Sequence, residues 1–241
     1  MFYLIGLGLG KESISVEGFN AVKKCKKVYL DTFTSVYEGS KEELEKLFNK
    51  KIKKVDRDFV ENKINELFNK SKKENVAFLV IGDIYSASTH ISIYLRAKKE
   101  KIPIKIINGV SILTAVGITG LSLYNFGKVI SIPFNNEKIK SPYDSFLINK
   151  KNNFHTLFLL DLDPENNKFL SIKEACNYLI QNGAKKETLA VGCARLGFQD
   201  YKIKTDTLNS LKKENFGSPP YCLIIPGKLH FIEEEAINLW K

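Results

Sequence analysis

The chain opens with MFYLIGLGLG, a short apolar run that passes into glycines at alternate positions, Gly6, Gly8 and Gly10. An apolar strand ending this way lets backbone approach whatever lies beyond it, because glycine lacks the Cβ that would block the contact. The stretch Val76-Ala77-Phe78-Leu79-Val80-Ile81-Gly82-Asp83 repeats the pattern and ends in a Gly-Asp turn. A third apolar run, Ile104–Ile107, leads into Asn108-Gly109-Val110-Ser111-Ile112. Three such loops predict a cleft at the carboxyl edge of one sheet, where α/β folds bind ligands.

The rest of the first half supports such a sheet. Strands are predicted at Phe2–Ile5, Val28–Asp31, Ile52–Val55, Ala77–Ile81 and Ile104–Ile107, separated by amphipathic stretches. Val16, Phe19 and Val22 share a helical face, as do Leu44, Leu47 and Phe48, and Ile64, Leu67 and Phe68. Thr89–Lys101 reads as a helix, with Pro103 marking entry to the next strand. Alternation of this kind predicts a mostly parallel sheet with helices on both faces. After about residue 115 the pattern changes. Strands at Val129–Ile132, Thr156–Leu160, Leu189–Cys193 and Tyr221–Ile225 alternate with helices near Ser141–Lys150 and Ser171–Asn182. The expectation is two α/β domains, 1–114 and 115–241, joined without a long linker.

Bulk properties narrow the functional classes. No apolar run approaches the roughly 20 residues of a membrane-spanning helix, and the start does not resemble a secretory signal. Cys25, Cys176, Cys193 and Cys222 are scattered, as are His90, His155 and His230, so neither a zinc site nor a disulfide framework is indicated. A reducing, cytoplasmic compartment is expected. The net charge of +10 comes almost wholly from lysine, Arg57, Arg96 and Arg195 being the three arginines. Nucleic-acid recognition favours the arginine fork. The lysine excess therefore reads as compositional bias, and no direct nucleic-acid partner is expected.

The glycine loop is spaced G-x-G-x-G, with Lys11 where a Rossmann G-x-G-x-x-G fingerprint needs its third glycine. Asp31 lies about where an NAD ribose acid belongs, but the helix after the loop begins near Ser15, too late to cradle a pyrophosphate. A ligand without phosphates fits better. Asp83 is placed either to accept hydrogen bonds from such a ligand or, with Ser88, to cap the following helix. His90 reads as a helix residue with a satisfied ring rather than a general base.

The ordered set IGLGLG, VIGD, S-A-S-T-H at Ser86–His90 and S-I-L-T-A-V-G-I-T-G-L-S-L-Y-N-F-G-K at Ser111–Lys128 resembles the diphthine synthase family. V-Y-L-D-T-F-T-S at Val28–Ser35, H-T-L-F-L-L-D at His155–Asp161, A-R-L-G at Ala194–Gly197 and I-P-G-K-L-H at Ile225–His230 extend the likeness over the whole chain. The family belongs to the tetrapyrrole methylase-like superfamily. Other members share the glycine loop and the Gly-Asp turn, but not Y-N-F-G or P-G-K-L-H. Departures are Gly-Asp-Ile in place of Gly-Asp-Pro, the run Ser86-Ala87-Ser88, and Tyr221 where histidine is common.

The resemblance implies a parallel N-terminal sheet, a mixed C-terminal sheet and a cofactor in the interdomain cleft. It implies S-adenosylmethionine as cofactor, with S-adenosylhomocysteine as product, bound by Leu9, Asp83, Ser86, Ser111, Ile112, Leu160, Leu196 and Tyr221, several through backbone groups. The implied reaction is N-methylation of the aminocarboxypropyl-modified histidine of elongation factor 2 to give diphthine, by a homodimer. No metal or covalent nucleophile is implied, and no catalytic residue is singled out. Arg195 is a candidate partner for the acceptor's carboxylate, with a structural salt bridge as the alternative. The compact length and P-G-K-L-H resemble archaeal-type members, which make a trimethylated amine, more than eukaryotic ones, which also form a methyl ester. Competing readings are a tetrapyrrole methyltransferase of the same fold and a non-catalytic basic RNA- or ribosome-binding protein.

Overall fold

The computed structural model describes all residues from Met1 to Lys241. Two compact units divide the chain after Leu113, with the short pieces Pro164–Asn166 and Gly197–Gln199 belonging to the first unit.

In the first unit five strands, β1 (Phe2–Gly6), β2 (Lys27–Asp31), β3 (Ile52–Val55), β4 (Val76–Val80) and β5 (Ile104–Ile107), form a sheet of order β3-β2-β4-β1-β5. Every pairing is parallel, so all five carboxyl ends lie along one edge. The central strands are buried on both faces, which is why they read as continuous apolar runs. Phe2, Leu4 and Phe78 pack on one face with Leu67 and Phe68 of α3 (Asn65–Ser71) and Ile93 and Ala97 of α4 (Ile91–Lys99). Ile5, Val28, Leu30 and Leu79 pack on the other with Val22 of α1 (Val16–Lys24) and Leu44 and Phe48 of α2 (Lys41–Phe48). Val16 and Leu47, assigned to these buried stripes from spacing, are exposed instead. Val16 opens the first turn of its helix, directly after the Ser15 cap.

α5 (Ile112–Ala115) crosses from the first unit to the second. The second unit carries a mixed sheet built from β6 (Ile130–Ile132), β7 (Thr156–Leu160), β10 (Leu189–Ala194), β11 (Lys202–Thr207) and β12 (Tyr221–Ile225). Its order is β11-β10-β12-β7-β6, antiparallel except for β6 with β7. A two-stranded ribbon, β8 (Leu162–Asp163) and β9 (Lys168–Phe169), lies apart. α6 (Ser141–Lys151), α7 (Ile172–Gln181) and α8 (Leu208–Leu211) cover one face through Phe146, Cys176, Leu179 and Leu211. The last helix is α9 (Phe231–Asn238). No helix is long and apolar enough to cross a membrane.

A buried pair ties α9 into this unit. His155 Nε2 donates to Glu233 Oε1 at 3.2 Å, and both residues are almost fully buried. His155 Nδ1 accepts from the Gly227 N–H, so the imidazole is neutral with its proton on Nε2. Glu233 also accepts the N–H groups of Ser122 and His230. Burial pushes its carboxyl up, but the His230, Ser122 and His155 hydrogen bonds outweigh that and bring it down to about 2.

A carboxyl held below its unfolded value stabilises the fold above that unfolded value and loses the contribution as pH falls through the folded one. Glu233→Gln is therefore expected to cost on the order of 3 kcal/mol at pH 6. The deficit should shrink below about pH 4 as the wild-type carboxylate is itself titrated. Urea midpoints of both proteins at pH 6 and pH 3 check this. An equal deficit at the two pH values would show that Glu233 acts through shape alone.

Candidate functional site

At the carboxyl edge of the parallel sheet, β1 lies between β4 and β5, and the loops that follow these three strands meet backbone to backbone. A Cβ on Gly6 would stand 2.6 Å from the Gly109 nitrogen and 2.7 Å from the Gly82 oxygen. A Cβ on Gly109 would collide with the same Gly82 oxygen. Gly8 and Gly82 exchange two backbone hydrogen bonds, at 3.0 and 2.8 Å. These four glycines thus serve to nest three loops in one another.

Asp83 clamps this nest. Its Oδ1 accepts the N–H of Tyr85, the N–H of Ser86 and the Ser86 hydroxyl, and its Oδ2 accepts the N–H of Gly109 across the end of β1. Burial pushes the Asp83 carboxyl up, yet these hydrogen bonds prevail and hold it below the usual carboxylate range. The carboxylate is therefore mostly committed to the protein. At Gly82 the backbone has φ of +83°, and a Cβ there would meet no clash, only Leu9 and the Val110 carbonyl in ordinary van der Waals contact at 3.6 and 3.9 Å.

The loop after Asp83 is pinned at its far end as well. His90 is buried, with Nε2 2.8 Å from Asp31 Oδ2 and Nδ1 3.0 Å from Ser88 Oγ. Asp31 also accepts from the N–H groups of Phe33 and Thr34 and from the Thr34 hydroxyl. Neither residue is placed for ligand work: Asp31 is not the ribose acid of a nicotinamide site, and His90 has both ring nitrogens engaged. Glu38 is a further brace that sequence reasoning missed. Its two oxygens accept the N–H groups of Lys11 and Gln199. Its position between glycine-loop and late-chain backbone leaves no local signal.

The implied site residues thus fall in two groups. Leu9, Asp83, Ser86, Ser111 and Ile112 gather at the nested loops of the first unit. In the second unit, Tyr221 begins β12 opposite Ala194, which ends β10 two residues before Leu196. Leu160 ends β7, one position beyond the Cys222–Leu159 pair, so these three residues share one end of the mixed sheet. Leu160 and Leu196 are buried. The Tyr221 hydroxyl donates to the Gly217 carbonyl. Arg195 is consumed locally: its guanidinium bonds the Asp200 carboxylate and the carbonyls of Asp200, Phe216 and Ser218. Of its two readings the structural one fits.

Residues 1–212 match the profile of the Tetrapyrrole (Corrin/Porphyrin) Methylases. The diphthine methyl ester synthase of Dictyostelium discoideum is 38% identical, the match covering 100% of this chain and 98% of that protein. The Saccharomyces cerevisiae protein of the same name is also 38% identical, over 98% of this chain and 88% of its own. A crystal structure of diphthine synthase superposes with a TM-score of 0.92 at 35% identity, covering 99% of this chain and 95% of that one.

The chain belongs to the diphthine synthase family.

It is a methyltransferase with the tetrapyrrole methylase fold. The two relatives named here are eukaryotic and carry a methyl ester in their names. The methylase profile ends at residue 212, whereas the matches to the diphthine enzymes run on to the end of the chain or nearly so.

The nested loops make a direct forecast. Gly109→Ala should destabilise the protein by more than about 2 kcal/mol, because the new methyl meets backbone that cannot rotate away. Asp83→Ala should loosen the same nest and cost about 1–3 kcal/mol as buried N–H groups lose their acceptor. Denaturant unfolding checks both. Wild-type stability in Gly109→Ala would mean the loops are free to separate.

Proposed function

We propose that this protein uses S-adenosylmethionine to methylate the aminocarboxypropyl-modified histidine of elongation factor 2, and that the methyls go to the carboxylate as well as the amine. The ester follows the names of the relatives. The observation that carries the cofactor assignment is the clamped nest with its clash-free position at Gly82. Apolar carbon from Leu9 and the Val110 carbonyl border that position, and the helix that follows the glycine loop, α1, starts only at Val16. Such a shelf suits a nucleoside without phosphates better than a dinucleotide.

When bound, the cofactor supplies a sulfonium methyl already activated for transfer. The chain's own residues have to position and shield. Leu9, Ser111 and Ile112 would hold the cofactor through backbone groups, and Ser86, whose proton goes to Asp83, retains hydroxyl lone pairs for a donor. Asp83 acts mainly by keeping these loops in register. Leu160 and Leu196 contribute apolar surface that excludes water, and Tyr221 contributes its ring. Rate enhancement then comes from orientation and desolvation. The four cysteines are buried, and burial raises the Cys25 and Cys176 thiols to about 11 and about 12. Cys193 is held well above the thiol range by its hydrogen bond to Cys222 and by burial. None is suited to act as a thiolate nucleophile.

The test incubates the protein with labelled S-adenosylmethionine and elongation factor 2 carrying the aminocarboxypropyl-histidine, then locates the label by mass spectrometry. The expected result is label on that side chain, part of it released by mild base as an ester gives up its methyl. Cys193→Ala should keep substantial turnover. Calorimetry should show binding of S-adenosylhomocysteine and not of NAD. Label on unmodified factor, or only on a tetrapyrrole, overturns the reading.

We further propose a cytoplasmic homodimer. Family resemblance supports it, together with Leu123 and Tyr124, which stand exposed in the family-specific stretch. Light scattering at micromolar concentration should give twice the 27.4 kDa chain mass. A monomer mass independent of dilution and salt would reject the dimer.

A further inference from the structure

The last 29 residues lie beyond the general methylase profile but within the matches to diphthine enzymes. They are built firmly into the second unit. The Gly227 and Lys228 backbone packs on the turn that ends α6: Lys228 N–H donates to the Asn153 carbonyl at 3.2 Å, and a Cβ on Gly227 would collide with that same oxygen. From the other side Asn149 accepts from the Lys128 N–H at 3.0 Å and donates to the Lys128 carbonyl at 2.9 Å. Y-N-F-G, with Lys128 directly after it, and P-G-K-L-H thus converge on one corner, locked underneath by His155 and Glu233.

What this corner shows to solvent is mainly basic and aromatic. Lys128, Lys150, Lys151 and Lys228 are all exposed, and none has a carboxylate partner. Phe154 stands among them at 42% exposure, and Phe231, three residues past Lys228, is 68% exposed. Glu233 is buried and shows no charge to solvent, and the exposed acids beside the corner are Glu234 and Glu235, which follow Phe231 on α9. Four lysines without a carboxylate partner, Lys150 lying over the Phe146 ring, together with two exposed aromatic rings form an interaction surface with a preferred sign.

We propose that this corner docks an acidic patch on the protein acceptor, so that the C-terminal segment adds a protein-recognition surface to a methylase fold. The proposal rests on the reading of the acceptor as elongation factor 2. Charge selects the occupant: a two-fold axis through this corner would crowd the same four lysines of both copies together. The aromatics supply buried area, and the lysines steer and orient the encounter. RNA is the less suited occupant, since the corner holds no arginine to grip phosphates or bases bidentately.

The experiment compares wild type, Lys128→Glu/Lys228→Glu, Phe231→Ser and the conservative Lys228→Arg. Binding to elongation factor 2 is measured by interferometry, methylation by label transfer, cofactor binding by S-adenosylhomocysteine calorimetry and mass by light scattering. The charge reversal and Phe231→Ser should weaken factor binding at least tenfold and raise KM with kcat nearly unchanged. Cofactor affinity and mass should stay constant, and Lys228→Arg should behave as wild type. Wild-type binding should also fall as salt rises. Factor binding unaffected by either change overturns the proposal while leaving the methyltransferase reading intact. Conversion of a dimer to monomers by these changes overturns it in favour of a copy-to-copy interface, and loss of RNA binding alone overturns it in favour of RNA. If wild type binds the factor through this corner yet transfers no methyl, docking stands and the assigned reaction fails.

Discussion

The Asp83 carboxylate joins the loop after β4 to the loop after β5, although β1 runs between those strands. Such a bond can form only if nothing rises from the end of β1 to block it, and Gly6 is the residue there. Once the bond is made, Gly109 is drawn against Gly82, and Gly82 is already paired to Gly8. Four glycines and one acid are therefore mutually dependent. The acid depends on the same arrangement: its buried charge is tolerable because four donors converge on it. Every residue assigned to the first half of the site is placed relative to this cluster.

This construction suits the reaction proposed above, in which the protein contributes geometry. Methyl transfer from a sulfonium centre needs the acceptor atom held in line and water kept away. Rigid loops clamped at both ends, by Asp83 at one and by the Asp31–His90 pair at the other, provide that without a reactive side chain. The buried histidines follow the same logic. Each lies against a carboxylate distant in sequence, and each fastens a loop to a sheet.

How much of this was legible in the sequence depended on burial. The five parallel strands were readable almost to the residue because strands covered on both faces become unbroken apolar runs. β11, reading K-I-K-T-D-T, was missed: it is an edge strand with one face toward solvent, and its polar residues hide the pattern. α9 was missed because its opening residues, Phe231 and Ile232, are exposed, so its apolar positions do not mark a buried stripe. At the site, glycine and Asp83 announced a special turn, but their spacing could not say that Asp83 faces inward. His155 and Glu233 stand 78 residues apart, beyond any local pattern.

The family-specific motifs acquire a physical meaning only at this point. Y-N-F-G and P-G-K-L-H are separate in the chain, yet His155 touches both: its backbone exchanges hydrogen bonds with Asn125 and Gly127, its ring lies edge-on to Phe126, and its Nδ1 accepts from Gly227. The neutral imidazole can do this because its other nitrogen donates to Glu233, which in turn holds the start of α9. A methylase acting on a small ring needs no such scaffold outside its cleft. One acting on a folded protein gains from a rigid outer surface that orients the acceptor before chemistry. Motifs that distinguish this family therefore concentrate where partner recognition would be built, while those shared with other methylases concentrate in the nested loops.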